Sequence, residues 1–326
     1  MKVLLTTIAA LGLAAASASA QTPTPIKMIS FGGATNLPVW SALEHGLFEK
    51  EGVKVTVDQT AGSAAQFADL MSGKYDFAST AFDNIVAYTE GQGAAKYDNF
   101  DVTAILGVHS GLNSVLSRPE VKTFQDIKGK TISVDALTSG YATVLYQILA
   151  NKGIVKDRDY KIITVGSTDA RMKSLKENTS QMAIISSPQD LEAQKEGYNI
   201  LADAAVEVGD YQGSAYAMRK SWAAAHPKEA VALARAVIAA HEWVFANKAG
   251  AVEVLKKRTK GMSDAELSAL YDRLVGPGGL NKGAAINLKG VETVLKLRSV
   301  YGEAKGPVPS PLKYVDTSIA EKARAK

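Results

Sequence analysis

The sequence predicts an α/β fold built from two similar halves and closed by a helical C-terminal segment. Three observations predict it. Strand-like and helix-like segments alternate from Ile26 to Gly197, the pattern of sheets with helices on their faces. The strands end in Gly, Ser or Thr, and a helix begins at once. The same succession occurs twice with different residues, and after Ser221 the chain is mostly helical.

In the first half, Ile26 to Phe31 reads as a short strand closed by Gly32-Gly33. Pro38 suits a first helical turn, where its missing N–H has no partner to lose. Val39 to His45 continues that helix, and Gly46 ends it. Val53, Val55 and Val57 alternate with Lys54, Thr56 and Asp58, the period of a strand. Ala61-Gly62-Ser63 leads into a helix with Phe67, Leu70 and Met71 on one face, stopped by Gly73. Tyr75 to Ala78 is the next strand, and Ser79-Thr80 opens the helix after it.

The second half repeats the plan. Thr131 to Val134 is a strand, and Thr138-Ser139-Gly140 opens a helix carrying Val144, Leu145, Ile148 and Leu149. Ile162, Ile163 and Val165 form a strand, and Ser167-Thr168-Asp169 caps another helix. Met182 to Ile185 is a strand, and Ser186-Ser187-Pro188 opens the helix that Gly197 ends. Hydroxyl side chains at these junctions cap the free N–H groups of a first turn. In open α/β sheets, ligands bind beyond the carboxyl ends of the strands. Any one junction is explained by ordinary capping; their repetition in two halves points to a shared site.

Four helices follow, at His226-Pro227 to Val244, Val252 to Lys257, Asp264 to Leu274 and Val291 to Tyr301. They are expected to wrap back on the first half. Pro307, Pro309 and Pro311 are expected to end the structured part, leaving an Ala- and Lys-rich tail from Thr317.

Composition narrows the function. Lys2, the apolar run from Val3 to Ala16 and the Ala18-Ser19-Ala20 site read as a cleaved secretory leader over residues 1–20. Gln21 to Pro25, with two prolines, reads as a flexible mature N-terminus. The chain has no cysteine, which excludes a disulfide framework, a thiolate metal site, a cysteine nucleophile and a lipid-modified cysteine anchor. A free, exported protein of this kind is expected in a periplasm. The formal charge is +4, dispersed and without basic runs among aromatics, so nucleic acid is not an expected partner. No later segment carries the roughly 18 consecutive apolar residues of a membrane span.

Catalytic motifs fail on inspection. In Gly107-Val108-His109-Ser110-Gly111 the serine stands one place late for a nucleophile elbow. Gly129-Lys130-Thr131 would need a glycine where Phe124 stands to make a phosphate loop. His45, His109, His226 and His241 show no metal-ligand spacing. No catalytic residue, metal or cofactor is therefore expected.

The run from Leu37 to Val53, LPVWSALEHGLFEKEGV, resembles the opening of the nitrate/sulfonate/taurine-type substrate-binding proteins of ABC importers. Leu70 to Ala78, Asp126 to Val134, Val294 to Arg298 and Lys313 to Asp316 resemble further segments of that family, in order along the chain. Before Met182 the chain departs from the family pattern: Glu177 to Ala183 lacks the usual glycine and aspartate. The resemblance implies a two-lobed, type II periplasmic-binding fold, two open α/β sheets joined by a two-strand hinge. Lobe one would hold residues 26–108 and 213–326, and lobe two residues 109–212. It implies a protein, expected as a monomer, that captures a small-molecule ligand by hinge closure; the N–H groups at the helix N-termini suit a small organic anion such as a sulfonate, carboxylate or aromatic acid. The protein would deliver that ligand to an ABC permease and ATPase complex. Two rivals share the fold: a ligand-presenting partner of a periplasmic sensor, and a thiamine-pyrimidine-synthase-like enzyme, whose cysteine-rich segment is absent here.

Strand-end residues then become candidate ligand contacts: Gly33, Thr35, Asn36, Ser63, Ser79, Thr80, Ser139 and Ser187. Trp40, Phe82 and Tyr141 read either as core aromatics or as cleft-lining ones. His109 joins them because it lies at the expected crossing between lobes. Arg171 follows the cap expected at Asp169 by two residues, where a cation opposes the helix dipole by roughly 0.3–1 kcal/mol. It reads either as a solvated surface arginine or as an anion contact.

Overall fold

In a computed structural model, the structure describes residues 22–303 and 307–325. The leader expected at residues 1–20 lies outside the described residues. Four strands open the chain: β1 (Thr24–Ser30), β2 (Val53–Gln59), β3 (Phe77–Ala81) and β4 (Val102–His109). Between them lie α1 (Leu37–Glu44), α2 (Leu47–Lys50), α3 (Ser63–Met71) and α4 (Phe82–Thr89). The chain then crosses to a second sheet, made of β5 (Asn113–Ser117), β6 (Thr131–Val134), β7 (Lys161–Thr164), β8 (Met182–Ser186) and β9 (Asn199–Asp203). Its helices are α5 (Gly140–Asn151), α6 (Thr168–Lys176), α7 (Gln189–Lys195) and α8 (Ala204–Val208). A second crossing returns the chain to the first sheet as β10 (Ser214–Arg219).

The strand orders are β2-β1-β3-β10-β4 and β7-β6-β8-β5-β9. Each sheet therefore follows one plan. Three parallel strands are followed by an antiparallel fourth, and that fourth strand is the one that has just crossed from the other sheet. The two crossings, residues 110–112 and 209–213, thus interlock the lobes.

Local chemistry explains most boundaries. Ser139 caps α5 by accepting from Ala142 N–H at 3.1 Å, and Ser167 caps α6 by accepting from Ala170 N–H at 3.3 Å. Pro38 sits in the first turn of α1. Three expectations are corrected. Ser79 and Thr80 belong to β3, because they pair with Tyr216 and Ala215 of β10; α4 begins only at Phe82. Pro25 lies inside β1, not in a flexible tail. At that level β1 pairs with β2 alone, β3 joining only from Met28, so no third strand needs the missing N–H. The segment after the prolines is structured too: Val315 bridges to Ala104, and α14 (Ser318–Arg324) buries Ile319, Ala320 and Ala323.

β4 and β5 gave no alternating signal because all their residues are buried, and a strand covered on both faces has no polar side to show. After β10 the chain forms α9 (Lys220–Ala225), α10 (Pro227–Ala246), α11 (Lys248–Arg258), α12 (Asp264–Val275) and α13 (Leu288–Tyr301). α10, α11, α12 and α14 complete one core with β1, β2 and α1. α13 lies across both lobes: Val291, Val294, Leu295 and Leu297 join a second core that contains Phe82 and Ile85 of α4 with Val144, Leu145 and Ile148 of α5. Among the described residues no helix is long and apolar enough to cross a membrane.

Candidate ligand-binding cleft

The carboxyl ends of the central strands of both sheets meet around a cavity of about 160 Å³. Lobe one contributes Gly33, Thr35 and Asn36 after β1, Ser79 and Thr80 at the end of β3, and Asp83 and Asn84 at the start of α4. Lobe two contributes Asp135 and Ser139 between β6 and α5, Tyr141 in the first turn of α5, and Ser186 and Ser187 at the end of β8. The end of β4 adds His109, and the crossings add Leu112, Tyr211 and Gly213.

The wall is held from behind by hydrogen bonds. Asn36 donates to the carbonyls of Phe31 and Gly33, at 2.7 and 3.1 Å, and so shapes the loop after β1. Gly33 has φ of 121°, a conformation that a side chain would strain. At the first crossing, His109 Nδ1 accepts from the N–H groups of Gly111 and Leu112, at 3.1 and 3.4 Å. Its proton therefore sits on Nε2. Burial pushes its pKa down to about 4, so the ring is neutral in ordinary buffers. Gly213 must lack a side chain, since a Cβ there would lie 2.6 Å from the His109 ring.

Two carboxylates stand in the wall, each just beyond a strand. Asp83 accepts from Arg298 Nη1 at 2.8 Å, and both are almost fully buried. Burial pushes the Asp83 carboxyl above the usual range, against the pull of the guanidinium. Arg298 also donates to Gln92 Oε1 at 2.6 Å and to the lobe-two carbonyl of Thr138 at 3.2 Å, which ties α13 to both lobes. Asp135 is half-buried and accepts from Ser139 Oγ at 2.5 Å. On another side of the cleft, Arg273 of α12 reaches into lobe two. It donates to Ser187 Oγ at 2.8 Å, to Ser114 Oγ at 2.8 Å and to Asp203 at 3.1 Å, and lies 3.2 Å from Asp190.

The structure gathers Gly33, Thr35, Asn36, Ser79, Thr80, His109, Ser139, Tyr141 and Ser187 at this cavity. It places Trp40, Ser63, Phe82 and Arg171 elsewhere. Trp40 packs on the first core and Phe82 is wholly buried in the second. Ser63 follows β2 and accepts from Tyr88 Oη at 3.3 Å; Arg171 lies in the helix after β7. β2 and β7 are the edge strands of their sheets, so the loops after them open away from the centre. Nor is Arg171 a surface residue. It is buried, donates to the carbonyls of Ile184 and Gly166 at 2.9 and 2.6 Å and to Thr168 Oγ1 at 3.1 Å, and lies 5.9 Å from the centre of the Tyr141 ring. The cap of its helix is Ser167, not Asp169.

Sequence reasoning missed Asp83, Asp135 and Tyr211 in the wall, and Arg273 and Arg298 behind it. The signal for the two aspartates was present, since each stands within two residues of a strand end. The arginines come from helices remote in sequence; Arg298 ends a segment that resembles the family, but nothing local marked either arginine as a neighbour of the cleft.

A model of the NMT1/THI5-like family matches residues 35–251. No curated protein sequence matches the chain. Among solved structures, the periplasmic nitrate-binding protein NrtA of Synechocystis PCC 6803 superposes with a TM-score of 0.76 at 15% identity, covering 92% of this chain and 88% of that one. The ligand-binding component of an ABC-type import system from Staphylococcus aureus gives 0.73 at 14% identity, covering 93% and 100%. The periplasmic aliphatic sulphonate-binding protein SsuA of Escherichia coli gives 0.69 at 15% identity, covering 92% and 99%. At these identities the likeness is one of fold, and the fold is the two-lobed type II arrangement expected above.

Proposed function

The chain belongs to the NMT1/THI5-like family, and from that premise we propose that it captures a small organic solute for an ABC importer and catalyses no reaction. The observation that carries this reading is the cavity itself, lined from both sheets and from both chain crossings. A ligand there touches both lobes fully only when they are closed, so it must favour the closed form. Residues 110–112 and 209–213 would flex as hinges between residues 26–108 with 213–326 and residues 109–212.

The structural likeness to an ABC import component and to nitrate- and sulphonate-binding proteins supports the reading. So does the wall chemistry. Ser139 and Ser187 donate to the carboxylates of Asp135 and Asp190 rather than to a histidine, so neither is arranged as a nucleophile with a base. The protein would work in a periplasm, as a monomer without a lipid anchor, and pass its ligand to a permease and ATPase complex. An acid group on the ligand, as in a sulfonate, a carboxylate or an aromatic acid, would sit against the hydroxyls of Thr35, Ser79 and Thr80 and the N–H of His109. A cofactor has no place in this reading.

Native mass spectrometry of protein from a periplasmic extract tests it, with small-angle scattering before and after the bound molecule is removed. We expect a co-purifying small molecule and a larger radius of gyration once it is gone. Returning it at a hundredfold excess over its dissociation constant should stabilise the fold by about 2.7 kcal/mol. Protein that carries no molecule and keeps one scattering curve would defeat the proposal.

A further inference from the structure

We propose that Asp135 determines which solute is accepted, and that the solute presents a positively charged, donating nitrogen, as in a protonated amine or amidine, to its carboxylate. The inference rests on the cleft being a capture site. Asp135 lines the cavity and has, among the described residues, one hydrogen-bond partner, the Ser139 hydroxyl on its own loop, which fills one of its oxygens. Among the described residues it forms no ion pair, whereas Asp83 spends its charge on Arg298. A carboxylate has about four acceptor sites, and an acceptor left without a donor is costly once a ligand displaces water from it.

Among the described residues no lysine or arginine lines the cavity. The cations nearby stand behind the wall and are bonded to the protein; Arg273 holds Ser187, Ser114 and Asp203. Arg298 holds Asp83, Gln92 and Thr138, and Arg171 is bonded to two carbonyls and a hydroxyl behind Tyr141. None of the three lines the cavity, and Arg171 already attracts Asp135 from behind. A bare acid placed there meets like charge in a partly desolvated site, while an ammonium or amidinium gains a charge-assisted bond. His109, with its proton on Nε2, supplies the opposite chemistry: a donor for an acceptor group at the other part of the ligand. The cavity therefore suits a molecule with both a cationic nitrogen and an acceptor end.

Matched probes test this: 2-aminoethanesulfonate against ethanesulfonate, β-alanine against propionate, and benzamidine against benzoate. Each is titrated by calorimetry into the wild-type protein and into Asp135→Asn, after the melting temperatures show that both are folded. We expect binding by at least one nitrogen-bearing member over its partner, and a loss of about 10–100-fold in its affinity in Asp135→Asn. Binding of the nitrogen-free members alone, or binding that Asp135→Asn leaves unchanged, would overturn the ligand class while leaving capture intact. A panel in which nothing binds counts against capture itself, and this inference falls with it.

Discussion

The two walls of the cleft each place an aspartate beside the cavity and an arginine behind it, yet they use them differently. In lobe one, Asp83 and Arg298 are bonded to each other at 2.8 Å and sealed from water. In lobe two, Asp135 faces the cavity with only a serine for a partner, and Arg171 behind Tyr141 is bonded to carbonyls and a hydroxyl. The contrast separates charge that holds the fold together from charge that remains open to a ligand. The two buried histidines repeat it. His241 is closed off by Tyr216 Oη at 3.2 Å and the carbonyl of Asn281 at 2.8 Å, while His109 belongs to the cavity wall.

The strongest way to break this comparison is to remove the cations. Arg298→Met strands a buried carboxyl and should lower unfolding stability by about 3–5 kcal/mol. Arg171→Met abandons hydrogen bonds to neutral acceptors and a longer-range attraction to Asp135, and should cost about 1–3 kcal/mol. Urea titrations of both variants measure the gap, and equal losses would erase the distinction between the walls.

Acid gives the next largest effect. Burial holds His241 and His109 at about 4, below the ordinary 6.5. Between those values the unfolded chain binds more protons than the folded one, so stability is complete above pH 6.5 and falls as pH drops toward 4. Each histidine can contribute about 3 kcal/mol to that loss. Melting temperatures across this range should fall less steeply in His241→Gln than in the wild type; parallel curves would mean that His241 is protonated in the fold.

A smaller effect sharpens the contact between the walls. A Cβ on Gly140 would lie 2.8 Å from Cβ of Asp83 and 2.9 Å from Tyr211 Oη. Gly140→Ala should cost about 1–3 kcal/mol by overpacking and enlarge the radius of gyration by holding the lobes apart. An unchanged scattering curve would show that the contact yields locally. The smallest effect is expected where the charge is open: Asp135→Asn should change unfolding stability by no more than about 0.5 kcal/mol. A loss as large as that of Arg298→Met would make Asp135 structural, like Asp83.

How much of this was legible in the chain is best seen strand by strand. β6 was read in full, because Thr131 to Val134 is bounded by Gly129 and by the Ser139 cap. β4 and β5 were not, because complete burial removes the alternation by which strands are recognised. The glycine, amide and hydroxyl candidates at the carboxyl ends of β1, β3, β6 and β8 reached the cavity, and the candidates after β2 and β7 did not. Ser63 carries the same local signal as Ser79 and Ser139, so no inspection of its neighbourhood could have separated it from them.

The sequence by itself determined the alternation of strands and helices, the caps and glycines at their junctions, and the polar chemistry available at each strand end. These depend on a few adjacent residues and on backbone hydrogen bonds that must be satisfied locally. Strand order, and with it which junctions face the centre, was decided only in the tertiary structure. So was the pairing of Asp83 with an arginine 215 positions later and the crossing of β5 and β10 into each other's sheets. Those choices follow from how whole faces bury apolar surface against one another, a property that no short stretch of chain contains.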